Sequence, residues 1–375
     1  MANVPRVVLT GGVSGGHTFP LIAVARALRS RYHGSVEFLF IGSKGVFESE
    51  AMALEGIPAK YVLTGKLRRY FSLLNFVDPF KIPLGIIQSL WHLFLFMPEV
   101  VFAKGGSASV PVVLAARIFR IPVVIHDSDA VAGRANMLLA HFAARIAIAY
   151  PNARKYFPAK KTALTGNPVR EEILHGDRVR AAEHFGLSLD KPTLIVLGGS
   201  QGAETLNRAL LRILPGLLEQ GIQVIHQTGR EKYDLIVQTV KEHGLEPGTS
   251  GYVPQAFFQV DELADALALA TVALSRAGAG SIAELAALKK ATILVPLASA
   301  ANDEQRMNAY GIAEIGGAVV LEEANLGDHL LLEKIVSLTG NETLRREMGE
   351  KIFAFYHPDA AEAIAAGVAS LITRY

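Results

Sequence analysis

The sequence contains no cysteine among its 375 residues. This absence excludes disulfide bonds, thiolate nucleophiles and zinc–thiolate centres, and it fits a reducing compartment. The net charge is also small. The sequence has 37 Lys and Arg residues and 35 Asp and Glu residues, which gives a formal net charge of +2. So small a balance, with no block of basic residues, argues against nucleic acid as a partner.

Long hydrophobic runs are lacking as well. The apolar stretch 82–98 is uncharged but has only 17 residues, carries a proline near each end and is interrupted by Gln88, Ser89 and His92. A membrane-spanning helix needs about 20 mostly apolar residues. The N-terminus shows no basic leader followed by an apolar run, so no secretory signal is expected. These features predict a cytoplasmic protein.

Half of the residues are apolar, and this length suits two domains. Short apolar runs alternate with helical patterns, which predicts an α/β fold with doubly wound parallel sheets. The predicted strands are Val7–Leu9, Val36–Ile41, Val100–Phe102, Val123–Ile125, Leu194–Leu197, Val224–His226, Val272–Leu274 and Thr292–Val295. The predicted helices include Pro20–Tyr32, Leu206–Glu219, Val260–Ala268 and Ser281–Lys289.

The pattern restarts half-way along the chain. Residues 7–12 and 194–200 each read as a strand that runs into a glycine turn and then a helix. Two Rossmann-like halves are the simplest account. We expect one domain over 1–168, a second over 169–355, and a C-terminal helix in 356–375. The sequence leaves open which domain that helix packs on, and packing back on the first is one option.

The first glycine loop runs from Gly11 to Gly16 and is followed by His17. The dinucleotide spacing G-x-G-x-x-G fails in either frame, because Val13 or Ser14 occupies the second glycine position. A tight turn that only joins strand and helix is the plain interpretation. His17 favours a functional one, since it is the only side chain there able to take a proton near neutral pH.

Two further loops precede helices in the second half. Residues 198–203 combine glycines with Ser200 and Gln201, which alone is a weak signal. Residues 275–284 form a small-residue loop and a helix start that suit a diphosphate. Glu284 lies one turn into this helix, where it could accept hydrogen bonds from ribose hydroxyls. The alternative is a capping box, because Ser281 and Glu284 have the S-x-x-E spacing.

The segment Asp127-Ser128-Asp129 matches the D-x-D pattern that holds a metal in some sugar transferases. Two carboxylates at this spacing are common by chance, so a structural or non-metal role is favoured. We expect no metal and no cofactor. Five other histidines have no motif around them, so surface or hydrogen-bonded core positions are expected for each. They are His33, His92, His141, His184 and His226.

Taken together, these motifs resemble the bacterial N-acetylglucosaminyltransferase (MurG) family that completes lipid II in peptidoglycan synthesis, whose members have the GT-B fold of two Rossmann-like domains facing across a cleft. The matching pieces occur in the family's order and extend from residue 7 to about 320. They are Gly11–Pro20, His126–Gly133, Thr165–Arg170, Gly198–Ala203, Ser275–Glu284, Asp303–Gln305 and Asn308-Ala309.

The resemblance implies an inverting hexosyltransferase that moves N-acetylglucosamine from UDP-N-acetylglucosamine to an undecaprenyl-pyrophosphoryl acceptor, lipid I. It implies a role in cell wall biogenesis, cell shape and cell division, and a peripheral location on the cytoplasmic side of the cell membrane. The first domain would face the acceptor and the membrane, and the second would bind the nucleotide sugar.

The resemblance also implies roles for individual residues. The backbone of Val260 would touch uracil, Glu284 would hold the ribose, and Gln305 with Glu304 would read the sugar hydroxyls. The residues lining the diphosphate would be Ser200, Ala279, Gly280 and Ser281, with Arg170 nearby, and Ile282 and Ala283 would also belong to the donor site. The acceptor side would comprise Ser14, Gly15, Gly16 and His17.

This chain departs from the family pattern at three positions. Val13 replaces a common glycine, Asp129 stands where the family has asparagine, and Glu304 replaces a neutral residue. His17 is the preferred base, with Asp129 as a neighbour of the donor sugar. Asp129 as the base, or as the partner of His17 in a dyad, stays an alternative.

Other functions remain open at this stage. One is a processive or single-step diacylglycerol glycosyltransferase, and another is a UDP-N-acetylglucosamine 2-epimerase of the same architecture. A third is a sugar-nucleotide binding protein without activity. An NAD dehydrogenase is disfavoured by the glycine spacing.

A basic and aromatic segment, residues 66–104, favours the transferases, because it suits an anionic membrane surface. Its basic residues are Lys66, Arg68, Arg69, Lys81 and Lys104. Its apolar residues lie in 70–96, and part of them would belong to a helix packed on the core.

Overall fold

The computed structural model describes residues 4–12, 15–65, 74–199 and 202–372, without the side chains of 46, 47, 74–80 and 301. The chain divides into two compact units. The first unit comprises residues 1–169 and 357–375, and the second comprises residues 170–356. In the described part of the chain, no helix is long and apolar enough to cross a membrane.

The first unit is built on a seven-stranded sheet with the order β3-β2-β1-β4-β5-β6-β7, in which all pairings are parallel. Its strands are β1 (Arg6–Thr10), β2 (Glu37–Gly42), β3 (Ala59–Tyr61), β4 (Val100–Ala103), β5 (Val123–Asp127), β6 (Arg145–Ile148) and β7 (Thr162–Leu164). Its helices are α1 (Gly15–Arg31), α2 (Val46–Leu54), α3 (Leu74–Phe96), α4 (Ser109–Ile118), α5 (Arg134–Leu139) and, from the end of the chain, α14 (Ala360–Ala369).

The second unit is built on a six-stranded parallel sheet with the order β10-β9-β8-β11-β12-β13. Its strands are β8 (Thr193–Leu197), β9 (Gln223–Gln227), β10 (Tyr252–Gln255), β11 (Val272–Ser275), β12 (Thr292–Leu294) and β13 (Val319–Val320). Its helices are α6 (Arg178–Phe185), α7 (Glu204–Glu219), α8 (Tyr233–Glu242), α9 (Val260–Leu269), α10 (Ala279–Ala287), α11 (Glu304–Ala313), α12 (Asp328–Gly340) and α13 (Glu342–Phe353).

Alternation along the strands explains why both faces of the first sheet are covered. Val8 contributes to an apolar core on one face, while Val7 and Leu9 contribute to a second core, because successive side chains of a strand point to opposite faces. The second core contains Ile364 and Val368 of α14, and α14 packs against α1. The last helix therefore completes the first unit.

Candidate active site

The glycine loops lie where the strand order of each sheet reverses. In the first unit this point falls between β1 and β4, and in the second between β8 and β11. Ligands of doubly wound sheets bind beyond the carboxyl ends of the strands at this point. Ser14 and Ser200, both predicted to line these loops, lie outside the described residues.

His17 lies in the first turn of α1, together with Gly15 and Gly16. Its ring packs against the loop after β1, since a β-carbon on Gly12 would lie 3.2 Å from Nδ1. A β-carbon on Gly106, in the loop after β4, would lie 3.5 Å from Nε2. A side chain at Gly12 would therefore crowd the ring, whereas the contact from Gly106 would be an ordinary van der Waals distance.

The electrostatic environment of His17 favours the neutral ring. Burial and, to a smaller extent, the positive charge of Lys104 lower the pKa of His17 to about 3. Part of the residue is nevertheless still exposed to solvent. At pH 7 the imidazole is therefore neutral, and a ring nitrogen can accept a hydrogen bond from a ligand that reaches it.

Lys104 follows β4 and was expected at a membrane surface, but the structure buries it, with 3% of the residue exposed. Its Nζ donates to Ser128 Oγ at 2.9 Å, and Ser128 Oγ donates to Asp129 Oδ2 at 3.3 Å. Burial lowers the pKa of Lys104, while Asp129 and Asp127 raise it. Lys104 is thus part of the site and lies away from any lipid headgroup.

Asp127 organises the loop that carries Asp129. The carboxylate of Asp127 is buried at the end of β5. Its Oδ1 accepts from the Asp129 N–H at 3.2 Å, and its Oδ2 accepts from the Gly133 N–H at 3.1 Å and from the Asn136 amide at 3.0 Å. Burial and then Asp129 raise the pKa of Asp127, against the hydrogen bond from Asn136. Both oxygens of Asp127 are therefore used within the loop.

In the second unit, Arg170 and Glu284 form a bidentate ion pair. Arg170 Nε donates to Glu284 Oε1 at 2.7 Å, and Arg170 Nη2 donates to Oε2 at 3.0 Å. The two side chains are 17% and 15% exposed. Bidentate pairs of this kind are strong and directional. The segment at residue 170 is thereby attached to α10.

Helix α10 begins at Ala279, with Gly278 as its N-cap and no capping side chain. The alternative in which Ser281 caps this helix is therefore wrong, because Ser281 already lies inside the first turn and Glu284 bonds to Arg170. The helix begins two residues before the predicted start at Ser281. A β-carbon on Gly280 would have no described atom within 4 Å. The helix start, with its N–H groups and dipole, is open on that side.

Glu304 and Gln305 form the first turn of α11, preceded by Asn302 and Asp303 with φ of 55° and 54°. Gln305 Oε1 accepts from the Leu297 N–H at 3.1 Å, which leaves the amide N–H groups of Gln305 directed elsewhere. One turn on, the amide of Asn308 donates to Ala277 O at 3.2 Å. This bond connects α11 to the loop at the start of α10.

A buried ion pair supports the same two loops. Arg276 donates to Val295 O at 3.2 Å and to Glu323 Oε1 at 2.5 Å. Glu323 Oε2 accepts from the Ala298 N–H at 3.1 Å. Val260 lies apart from this network, at the start of α9, where Gln259 and Glu262 form the capping box.

Two family models match the chain, one in each half. The glycosyltransferase family 28 N-terminal domain matches residues 7–148, and the glycosyltransferase family 28 C-terminal domain matches residues 193–364. A curated relative from Clostridium perfringens is 37% identical over 337 residues, 90% of each chain. One from Legionella pneumophila is 38% identical over 364 residues, 96% of each chain. Both are named UDP-N-acetylglucosamine--N-acetylmuramyl-(pentapeptide) pyrophosphoryl-undecaprenol N-acetylglucosamine transferase.

The chain belongs to this N-acetylglucosamine transferase family. A crystal structure of MurG from Acinetobacter baumannii agrees with it at a TM-score of 0.74 and 25% identity, over 98% of this chain and 99% of that one. The predicted family and the GT-B fold class are thus confirmed. A UDP-GlcNAc 2-epimerase from Neisseria meningitidis, bound to UDP-GlcNAc, reaches a TM-score of 0.71 at 12% identity, over 97% and 100% of the two chains. That likeness shows the fold alone.

Within this transferase family member, several site residues escaped the sequence analysis. Lys104, Gly105 and Gly106 follow a predicted strand, and a glycine pair after a strand is the same signal that drew attention to residues 11–16. The Arg276–Glu323 pair carries no comparable signal, since the two residues are 47 positions apart. Only the tertiary structure joins them.

Proposed function

We propose that this chain transfers N-acetylglucosamine from UDP-N-acetylglucosamine to undecaprenyl-pyrophosphoryl-linked N-acetylmuramyl-pentapeptide, lipid I, and so forms lipid II with inversion at the anomeric carbon. The names of the curated relatives carry this proposal. They describe that reaction, and the similarity extends over 90% or more of this chain.

The donor would be bound by the second unit. The open start of α10 offers N–H groups of Ala279, Gly280 and Ser281 to the diphosphate, in line with the preference of helix N-termini for anions. Ser200, Ile282 and Ala283 complete the proposed diphosphate region. Val260 would contact uracil, and Glu284 would accept from the ribose hydroxyls.

The donor sugar would be read by the first turn of α11. Because the Leu297 N–H occupies Gln305 Oε1, the Gln305 side chain presents N–H donors. It therefore suits a sugar hydroxyl oxygen as its ligand. Glu304 would accept a hydroxyl hydrogen beside it. The Arg276–Glu323 pair and Asn308 hold this turn against the diphosphate loop.

The acceptor would be bound by the first unit, at Ser14, Gly15, Gly16 and His17. In the reaction, the neutral imidazole of His17 takes the proton of the acceptor hydroxyl while its oxygen bonds to the anomeric carbon. The bond between that carbon and the diphosphate oxygen breaks at the same time, and UDP leaves from the opposite face. The α10 dipole and Arg170 stabilise the charge on the departing diphosphate. Asp129 lies beside the donor sugar in this scheme.

Peripheral contact with the cytoplasmic face of the membrane fits a lipid-linked acceptor. Helix α3 supports it with an exposed apolar face, comprising Leu84, Ile87, Trp91, Phe94 and Leu95, of which each side chain is from 52% to 62% exposed. The opposite face packs on the core through Leu93 and its neighbours. Lys66, Arg68, Arg69 and the apolar residues at 70–73 lie outside the described residues.

The test is transfer by the pure protein. Labelled UDP-N-acetylglucosamine should give labelled lipid II with lipid I, and UDP in equal amount. Diacylglycerol in place of lipid I should give no glycolipid, and the donor alone should give no 2-epimer. Product from diacylglycerol, or epimerisation without acceptor, would replace the proposal with the corresponding alternative.

A further inference from the structure

The loop after β4 places a lysine inside the acceptor unit rather than on its surface. Lys104 is 3% exposed, and its Nζ donates to the hydroxyl of Ser128 at 2.9 Å. A buried ammonium is costly unless charge compensates it. Compensation comes from the carboxylates of Asp127 and Asp129, on the loop after β5.

Lys104 reaches Asp129 through one hydroxyl. Ser128 Oγ accepts from the ammonium and donates to Asp129 Oδ2 at 3.3 Å. Because a hydroxyl has a single hydrogen, accepting from Lys104 directs that hydrogen towards Asp129. The chain of bonds thus aligns one oxygen of the Asp129 carboxylate.

Lys104 also lies beside His17. A β-carbon on Gly11 would lie 3.4 Å from Lys104 Cβ and 3.6 Å from His17 Cβ, and the Lys104 N–H donates to Thr10 O at 2.8 Å. The lysine and the histidine therefore both lie next to Gly11.

We propose that Lys104 is a positioning residue that keeps His17 and Asp129 in separate roles. As a buried cation it adds to the effect of burial in keeping His17 in the neutral form that a base requires, and through Ser128 it engages the Asp129 carboxylate that would otherwise pair with a protonated His17. The proposal rests on the proposed function of His17 as base. It argues against a His17–Asp129 dyad.

The surrounding charges agree with this assignment. Burial and then Lys104 lower the pKa values of both His17 and His126, and the hydrogen bond to Gly166 O opposes this for His126. On the loop after β5, the negative charges of Asp129 and Asp127 raise the pKa of Lys104, against the larger effect of burial. At the end of β6, burial and then Asp129 raise the pKa of Tyr150. Lys104 is thus the cation among these groups.

The decisive variant is Lys104→Met, which removes the charge and keeps most of the stem. With the carboxylate no longer held by a cation, the acid limb of the pH profile of kcat/KM should move up by about one pH unit or more. Adding Asp129→Asn should return at least half of this shift. An unchanged profile shape in Lys104→Met, or a shift that persists in the double variant, overturns the proposal.

A second readout needs no transfer activity. Histidine labelled at Cε1 is followed by NMR, and His17→Gln assigns the His17 signal. In the wild type this signal should not titrate above pH 5, and in Lys104→Met its titration should move to higher pH. An unchanged titration of the His17 signal in the variant overturns the inference, even in a protein that fails to make lipid II. Failure of transfer alone overturns only the proposed function.

Matched variants separate the effect of the Lys104 charge from general structural damage. Lys290→Met removes another lysine, whose pKa burial lowers to about 8 and whose Nζ donates to Ala270 O at 2.6 Å in the second unit. This change should leave the profile shape of kcat/KM and the His17 signal unmoved. Ser128→Ala keeps the cation and removes its bonded link to Asp129, so the acid limb should move in the same direction as in Lys104→Met but by less. Should Lys104→Met fail to fold, Lys104→Gln serves with the same expectations.

Discussion

The guanidinium of Arg170 and the carboxylate of Glu284 engage each other through two hydrogen bonds, of 2.7 Å and 3.0 Å. The resemblance assigns them to different parts of the donor, the diphosphate and the ribose. In this structure the Nε and Nη2 groups of Arg170 are bonded to the two carboxylate oxygens of Glu284. We propose that UDP contacts these same two side chains, and variants of each should show which part of the nucleotide it binds.

Variants of this pair should affect different parts of the nucleotide. Glu284→Ala should weaken binding of both uridine and UDP by roughly 1–3 kcal/mol, because the ribose hydroxyls lose their acceptor. Arg170→Ala should weaken UDP but not uridine, and it should reduce the salt dependence of UDP binding. Calorimetry measures both ligands.

The control is Arg180→Ala, which breaks another bidentate pair in the same unit, between Arg180 and Asp265. It should alter stability and leave nucleotide affinity unchanged. If Glu284→Ala lowers stability in the same way and binds uridine normally, its carboxylate has only a structural role.

Nucleotide binding should not depend on metal. The α10 start and Arg170 already supply positive potential to a diphosphate, and Asp127 uses both oxygens within its own loop. In the described part of the chain, no group of three His, Asp or Glu side chains could hold a metal ion.

UDP affinity should therefore be the same in EDTA and in Mg²⁺ by calorimetry. Asp127→Asn should lower the unfolding free energy of the first unit and leave UDP affinity unchanged. Complete loss of UDP binding in EDTA would restore the D-x-D segment as a metal site.

His17→Ala should lower turnover by about 10²–10⁴-fold, as expected for loss of a general base. UDP should still bind, because the proposed nucleotide residues belong to the other unit. The pKa of His17 is lowered to about 3, so its neutral form persists as pH falls from 8 to 5. Protonation of His17 should accordingly not reduce kcat/KM in that range.

His141→Ala provides the comparison, since His141 is an exposed histidine of the same unit, and it should retain turnover. Near-normal turnover of His17→Ala together with an inactive Asp129→Asn would move the base to Asp129.

The fold class could be predicted from the sequence, because apolar strand segments and glycine turns are patterns of neighbouring residues. These patterns did not predict β3, β6, β7, β10 and β13, which have only two to four residues each. Several of these carry too few apolar residues to stand out. β10 even contains Pro254, which its edge position allows.

The site was predictable where a glycine loop and a helix start are adjacent in sequence, as at His17 and Ala279. It was not predictable where side chains meet from distant positions. Arg170 and Glu284 are 114 residues apart, and nothing local distinguishes their pairing from separate contacts. Lys104 was misread for a related reason, because a basic residue beside an aromatic segment resembles a surface residue until its burial is known.

A buried histidine network should make the stability of the second unit depend on pH. His226 Nδ1 bonds to Tyr252 OH and Nε2 bonds to Asn207 Oδ1, each at 2.9 Å. Burial lowers the pKa of His226 from 6.5 to about 3. The unfolded chain therefore binds a proton below pH 6.5 that the folded unit refuses until about pH 3. This contribution to stability is complete above pH 6.5 and is lost as pH falls, by up to about 1.4 kcal/mol per pH unit.

Urea unfolding between pH 7 and pH 5 measures this slope. His226→Gln keeps one donor and one acceptor but does not titrate, so its stability should fall less steeply with acid. His329→Gln, at an exposed position, should keep the wild-type slope. Equal slopes for wild type and His226→Gln would show that the network does not hold His226 neutral.

The exposed face of α3 should bind anionic membranes. Its apolar side chains Ile87, Trp91 and Phe94 are from 59% to 62% exposed, and transfer of such a side chain into the bilayer interface is favourable by roughly 1–3 kcal/mol. Trp91 is the single tryptophan of the chain. Its emission should shift to shorter wavelength with vesicles of anionic lipid, and the protein should sediment with them.

Ile87→Glu should weaken this partitioning about ten-fold or more, because it places a carboxylate at the interface beside anionic headgroups. Leu54→Glu makes the same change at a leucine that is 88% exposed on α2, away from the proposed face, and it should partition like the wild type. Both variants should turn over a short-chain, water-soluble acceptor normally, since the change lies on the outer face of α3. Indifference of the wild type to anionic lipid, or equal weakening by both substitutions, would remove α3 as the membrane contact.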